Sequence, residues 1–267
     1  MRHRRKHPIH LPKLLILEPV GIHGGIMSKY RNEWKYLINY GEYEALKTRM
    51  GPYFHMDPNA IDGEYIIRSL YFDDIKNSAY EEKDMGVFFR KKYRIRIYNF
   101  SDSSIKLERK IKKGSYIFKE AAELTKEEVY KIINGDYDFL LRSENNLCRE
   151  FYYECISNFM RPRVIVDYDR TPYIMDSGTV RITFDKRVRA GIGSFDIFDP
   201  NLPTLSALPA DKMIMEIKFT EFLPKIVKDL APPDSSEFVA ASKYVLCCDK
   251  TKYLNEYAYY TDERSLI

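Results

Sequence analysis

Lysine, arginine and glutamate recur at every second residue in several short stretches of this chain, and side chains so spaced can act together. In KKYRIRIYNFSDSSIKLERKIKKGSYIFK (91–119), Lys92, Arg94 and Arg96 share one face with Tyr98, while Tyr93, Ile95 and Ile97 take the other. Lys106, Glu108 and Lys110 alternate in the same way against Ile105, Leu107 and Ile111. Arg31, Glu33 and Lys35, then Arg181, Thr183 and Asp185, then Glu216 and Lys218 repeat the pattern, and Arg170 ends a face shared with Val164, Val166 and Tyr168. A single half-buried strand gives such a face by solvation alone. Five strands with cationic faces, three of them carrying a glutamate (Glu33, Glu108, Glu216), imply a shared purpose. Close cations repel by about 4 kcal/mol per pair at an effective dielectric constant of 20, so a bound anion is expected to offset them. On this reading, Arg94→Ala or Arg96→Ala would relieve repulsion and raise the thermal stability of the empty protein. A polyanion suits such faces once they are brought together.

The elements that must position these residues follow from periodicity. Strands are predicted over Tyr30–Ile38, Tyr65–Phe72, the central stretch with a turn at Asn99–Ser104, Pro162–Tyr173, Thr179–Arg187 and Met213–Phe219. Helices are predicted over Gly41–Met50, Ile75–Asp84, Leu124–Asn134 with a Thr125/Glu128 capping box, Arg149–Met160, Pro224–Leu230 and Glu237–Cys248. The apolar strand faces need cover from those helices. A sheet so covered, curling until its charged faces oppose one another, becomes a barrel with a polar lumen. The expected fold class is therefore α+β: an antiparallel eight-stranded β-barrel tunnel with a polar lumen, covered outside by helices.

Composition bounds the alternatives. The 267 residues are 45% hydrophobic, and the net charge of +4 is too mild to indicate nucleic-acid binding. Cys148, Cys155, Cys247 and Cys248 have neither zinc-site spacing nor a disulfide framework, so reduced structural thiols and a cytoplasmic location are expected. Residues 1–28 are basic and His-rich and then briefly apolar, without a clean cleavage site, and are expected to be a disordered extension. A domain over residues 29–250 and a polar tail over 251–267 complete the division.

Nine motifs fall in order: EWKY at 33–36, SLYFD at 69–73, KYRIRIY at 92–98, LERK at 107–110, Lys119, YDRTPY at 168–173, VRITFD at 180–185, MEIKF at 215–219 and SKY at 242–244. Together they resemble the VTC domain, the polyphosphate polymerase branch of the triphosphate tunnel metalloenzymes, whose members share a CYTH-like tunnel. The resemblance implies that Lys35, Arg94, Arg96, Lys110, Lys119, Arg170, Arg181 and Lys243 line the tunnel and hold a triphosphate, with Lys218 beside them and Lys106 ranked second to Lys110. Of these, Lys35, Arg94, Arg96, Lys110 and Lys218 are the expected catalytic residues. It also implies a divalent cation, manganese or magnesium, on Glu216, with Glu108 and Glu33 as weaker candidate ligands. The wider superfamily usually opens on Glu-x-Glu-x-Lys, whereas this chain has Arg31, Glu33 and Lys35, one carboxylate fewer. The activity implied is transfer of the γ-phosphoryl group of ATP, or of another nucleoside triphosphate, to inorganic polyphosphate. A triphosphatase or a polyphosphate-binding module in the same fold is the alternative, and whether a membrane partner receives the product is left open.

Overall fold

The computed structural model describes residues 31–113, 116–175, 180–220, 222–230, 237–238 and 242–261. The expected N-terminal extension lies outside them.

Eight long strands carry the molecule: β1 (Arg31–Asn39), β3 (Tyr65–Asp73), β4 (Phe89–Tyr98), β5 (Ser101–Lys113), β6 (Tyr116–Glu123), β7 (Arg161–Met175), β8 (Val180–Gly191) and β10 (Lys212–Thr220). Three short ones, β2 (His55–Met56), β9 (Thr204–Ser206) and β11 (Glu237–Phe238), pair with β7, β8 and β1. Every pairing is antiparallel, in the order β11-β1-β10-β8-β7-β3-β4-β5-β6.

The alternation of the sequence sets the two faces. In register across the sheet, Lys35 lies opposite Glu216, Glu33 opposite Lys218, Arg94 opposite Glu108 and Arg170 opposite Asp185, so the charged positions fall on one face. Five strands separate β1 from β5, which would put them about 29 Å apart on a flat sheet. Lys110 Nζ is nevertheless 3.3 Å from Glu33 Oε2. The sheet is therefore strongly curled, with the charged face inside. Among the described residues no ladder joins β6 to β1 or β11, so the expected barrel is not closed by hydrogen bonds; β1 instead spends its outer edge on β11.

Helices cover the convex, apolar face. Tyr43, Leu46 and Met50 of α1 (Tyr40–Met50) and Val227 of α6 (Lys225–Leu230) pack on Ile38, Ile182, Phe184 and Met215. Asn39 starts α1 with a capping box to Glu42. The short α2 (Ser78–Asp84) follows β3. The second half of the convex face is covered by α3 (Lys126–Ile133), α4 (Asp138–Leu141) and α5 (Asn146–Ser157), whose Val129, Ile132, Leu140 and Phe151 are fully buried against Phe72, Tyr93, Ile95 and Leu107. Each such side chain contributes about 1.5–3 kcal/mol. The Thr125/Glu128 capping box is present at α3 as predicted.

Four expectations need correction. The turn between β4 and β5 is only Asn99 and Phe100, both left-handed (φ 49° and 58°), and strand pairing resumes at Ser101 rather than after Ser104. A strand over Tyr116–Glu123 pairs residue for residue with β5, although its mixed polarity hides the alternation. The helix predicted from Glu237 starts at Lys243, since Glu237 and Phe238 serve as strand partners to Leu37 and Tyr36. That helix, α7 (Lys243–Thr261), then runs on into the expected tail as far as Thr261, over a stretch with no glycine or proline.

α7 has its described core contacts with the concave face, in a cluster that Ala79 of α2 also joins. Tyr244, Cys247 and Cys248 pack there on Ile67, Val166, Val188, Ala190 and Ile214. A bulge makes this possible. Arg187 sits at φ 49°, and the β7–β8 register shifts beside it, so the inward set passes from Arg181, Thr183 and Asp185 to Val188 and Ala190.

Candidate functional site

Beyond the apolar plug of α7, the concave face is built from ion pairs. Eight cations, Lys35, Arg94, Arg96, Lys110, Lys119, Arg170, Lys218 and Lys243, contact four carboxylates, Glu33, Glu108, Asp185 and Glu216, leaving an excess of four positive charges. The expectation that only a bound anion could offset the crowding is corrected: buried carboxylates offset half of it.

Glu216, 4% exposed, is the most heavily engaged. Its Oε1 lies 2.9 Å from Lys243 and 3.5 Å from Lys35, and its Oε2 lies 2.8 Å from Lys218 and 3.7 Å from Arg170. Against the cost of burial, these neighbours hold its carboxyl well below the usual range. Asp185 is wholly buried and accepts a two-pronged bond from Arg170 at 2.7 and 2.8 Å. It also takes an ion pair from Lys243. Lys243 opens α7, where the helix dipole disfavours a cation, and these two carboxylates stabilise it there.

The second group centres on Glu108. Its Oε2 accepts from Arg94 Nε at 2.6 Å, lies 3.7 Å from Arg96 and is matched on Oε1 by Lys119. Burial opposes ionisation of Glu108, but the two arginines and Lys119 outweigh it and hold the carboxyl at about 2. Arg94 also donates to the Tyr71 hydroxyl at 2.7 Å, and Arg96 to Ser69 Oγ at 3.4 Å. Burial raises the Tyr71 phenol, yet Arg94 and Arg96 bring it below its ordinary value. Glu33 links the groups: Lys35 Nζ is 2.8 Å from one of its oxygens and Lys110 Nζ 3.3 Å from the other. Despite burial, these lysines bring Glu33 to about 2.

Two predicted residues stand apart. Lys106 pairs with the exposed Glu123 at 3.4 Å, at the margin of the face. Arg181 turns to Asp57 at 2.7 Å and to the Tyr65 hydroxyl at 3.0 Å. Asp185 escaped notice as a site residue although it shares the parity of Arg181 in VRITFD; that spacing was the available signal. Tyr71 and Tyr168 were also missed, and Tyr168 stacks under both Lys243 (4.8 Å to the ring centre) and Arg170 (5.2 Å).

The donor set for a resident divalent ion can be judged from the same contacts. Among the described residues no three carboxylate, histidine or cysteine groups converge as a ligand cluster. Both oxygens of Glu216 already face ammonium or guanidinium groups. A divalent ion about 4 Å from one ammonium would be repelled by about 8 kcal/mol at an effective dielectric constant of 20. Glu108 and Glu33 are likewise engaged by cations. As they stand, these residues do not fit a resident metal.

The family model of the VTC domain matches residues 30–252. No curated protein matches the chain. Similar solved structures include HpAC1 from Hippeastrum, described as an adenylyl cyclase candidate with a dominant triphosphatase activity. It has 14% identity over 82% of this chain and 95% of that one, with a TM-score of 0.51, and shows the shared fold. An adenylate cyclase candidate from Bacillus halodurans (10% identity, 78% and 94% coverage, TM-score 0.42) and the PH1012 protein of Pyrococcus horikoshii OT3 (13%, 78% and 94%, 0.40) are more distant.

Proposed function

Since the chain belongs to the VTC domain family, we propose that it is a polyphosphate polymerase, transferring the γ-phosphoryl group of ATP or another nucleoside triphosphate to the end of an inorganic polyphosphate chain. The observation that carries this reading is the excess of positive charge inside a curled sheet whose carboxylates are all tied to cations. Lys35, Arg170, Lys218 and Lys243 would grip one part of the bound phosphates and Arg94, Arg96, Lys110 and Lys119 another. Lys106 and Arg181 extend the track at its margins. Curling of the sheet into a tunnel around the chain belongs to the same proposal.

Phosphoryl transfer through a loose transition state needs alignment and charge neutralisation more than a covalent nucleophile. A terminal oxygen of the acceptor chain attacks the γ-phosphorus, the bond from that phosphorus to the β,γ-bridging oxygen breaks, and the nucleoside diphosphate leaves with that oxygen. The acceptor oxygen is already ionised, so no general base is required. That matches the site: Glu33 and Glu108, at about 2, are far from the range in which a carboxylate takes a proton from water at neutral pH. Manganese or magnesium enters this proposal as the counter-ion of the nucleotide.

One observation favours a triphosphatase instead. Burial pulls the Lys218 ammonium down to about 8, although Glu216 pulls the other way, so it gives up its proton more readily than an ordinary lysine and in its neutral form can take one from an attacking water. The activity of HpAC1 is of that kind. Incubating the protein with ATP, a divalent ion and a short polyphosphate primer, and resolving products by chain length, separates the readings. A ladder of lengthening chains with ADP released supports the polymerase. Orthophosphate without a ladder supports the hydrolase. Tight polyphosphate binding with no nucleotide consumed leaves a binding module.

We place the activity in the cytoplasm, where ATP is abundant; the four buried, free cysteines are in keeping with a reducing compartment. No described helix is long and apolar enough to cross a membrane.

A further inference from the structure

The charged face continues past the site along β4 and β5. In their ladder Lys92 stands directly opposite Lys110, and in the next row, about 7 Å further on, Arg90 stands directly opposite Lys112. Lys110 in turn faces Lys119 on β6. None of these three cross-strand pairs contains a carboxylate, whereas one row earlier Arg94 faces Glu108. Like charges placed directly opposite destabilise a sheet, so this end of the ladder is costly in the empty protein. Burial, then Arg90 and Lys110, lower the Lys112 ammonium below its ordinary value, and Glu33 pulls the other way. Arg90, Lys92, Lys110 and Lys112 are all half-buried, so solvent reaches them. We propose that Arg90, Lys92 and Lys112 carry the outer length of the polyphosphate chain, which runs from the transfer site along β4 and β5 and leaves the concavity past the Arg90–Lys112 row. This rests on reading the concave face as a phosphate site.

A repeated phosphate is the ligand that such rows fit. Every unit of the chain carries negative charge, and a phosphate laid between Lys92 and Lys110, or between Arg90 and Lys112, turns their repulsion into charge-assisted bonds. A triphosphate engages the inner cations around Glu108 and Glu216; a longer chain reaches the outer rows as well. Because every unit is alike, the chain can advance by one phosphate after each transfer and meet the same kind of contact again. Tyr244 of α7 flanks this path, its ring centre 4.5 Å from Lys92 Nζ. The rows therefore distinguish ligands by length: they add nothing for a triphosphate and hold a chain that extends beyond it.

Calorimetric titration of the full chain with inorganic tripolyphosphate and with long-chain inorganic polyphosphate, each affinity expressed per chain, tests this without reference to turnover. The wild-type protein should prefer the long chain. In Arg90→Gln/Lys112→Gln that preference should fall about tenfold or more, while tripolyphosphate binds as it does to wild type. Lys47→Gln/Lys225→Gln, which removes the same charge from the helices of the convex face, should keep the preference. Equal weakening of both ligands in Arg90→Gln/Lys112→Gln would overturn the proposal, as would an unchanged preference there or an equal loss in the convex-face variant. Retained tripolyphosphate binding shows that the double variant is folded; should it fail to fold, Lys112→Gln alone carries the same comparison. A length preference that depends on Arg90 and Lys112, in a protein that makes no chains from ATP, would leave this proposal standing and remove the polymerase reading. Failure of the wild-type protein to bind either phosphate would remove both.

Discussion

Arg94 shows how a single side chain serves both fold and site. It bonds Glu108 at 2.6 Å and Tyr71 at 2.7 Å, so its loss takes the nearest guanidinium from a buried carboxylate that keeps Lys119 and the more distant Arg96. Arg94→Ala is therefore expected to lower stability by about 3 kcal/mol, the cost of breaking a buried pair, and to weaken tripolyphosphate binding as well. Denaturant unfolding checks the first and calorimetry the second; a more stable variant would restore the repulsion argument made from sequence. Glu108 carries the matching pH dependence. Burial works against its charge, but Arg94, Arg96 and Lys119 depress its folded value from the ordinary 4.5 to about 2. Its stabilisation is thus fully present above about 4.5 and lost as the pH falls through about 2. The wild-type melting temperature should fall across that window more steeply than that of Glu108→Gln, and parallel curves would show that Glu108 contributes nothing there.

At the scale of elements, alternation made the strands legible and left their closure hidden. Lys92, Arg94, Arg96, Glu108 and Lys110 could be placed on one face from spacing alone, and register in the sheet brings them together with Lys119. Tyr116–Glu123 escaped because Ala121 and Ala122 blur its polarity, and α7 was misplaced because apolar residues from Phe238 onward continue into its own pattern. The pairing of charges was out of reach. Sequence shows that cations share a face, but only the curl of the sheet shows that Glu33 meets Lys110. The bulge at Arg187 was equally invisible, yet it turns β8 from a charged wall into a seat for α7. That strand ends on Gly191, where a Cβ would stand 2.7 Å from Leu202 Cδ2 and 2.9 Å from Ile165 Cβ. Gly191→Ala should cost about 1–3 kcal/mol, measured by thermal or denaturant unfolding. A neutral result would mean that the loop carrying Leu202 yields freely.

For the molecule as a whole, the arrangement is a positively charged concavity plugged at one side by Tyr244, Cys247 and Cys248 of α7. Eight cations against four carboxylates should make tripolyphosphate binding strongly salt-dependent, with affinity falling about tenfold or more between 50 and 200 mM salt. A flat response in calorimetry would mean that the cations are spent on the protein's own carboxylates. The central claim is that the γ-phosphoryl group passes to a phosphate chain rather than to water. Its most direct test is to supply ATP labelled in the γ-phosphoryl group and measure how the label divides between polyphosphate and orthophosphate as primer is added. Label that accumulates in chains, in step with ADP and increasing with primer, is the result the polymerase assignment predicts. Label released as orthophosphate at a rate indifferent to primer would contradict it.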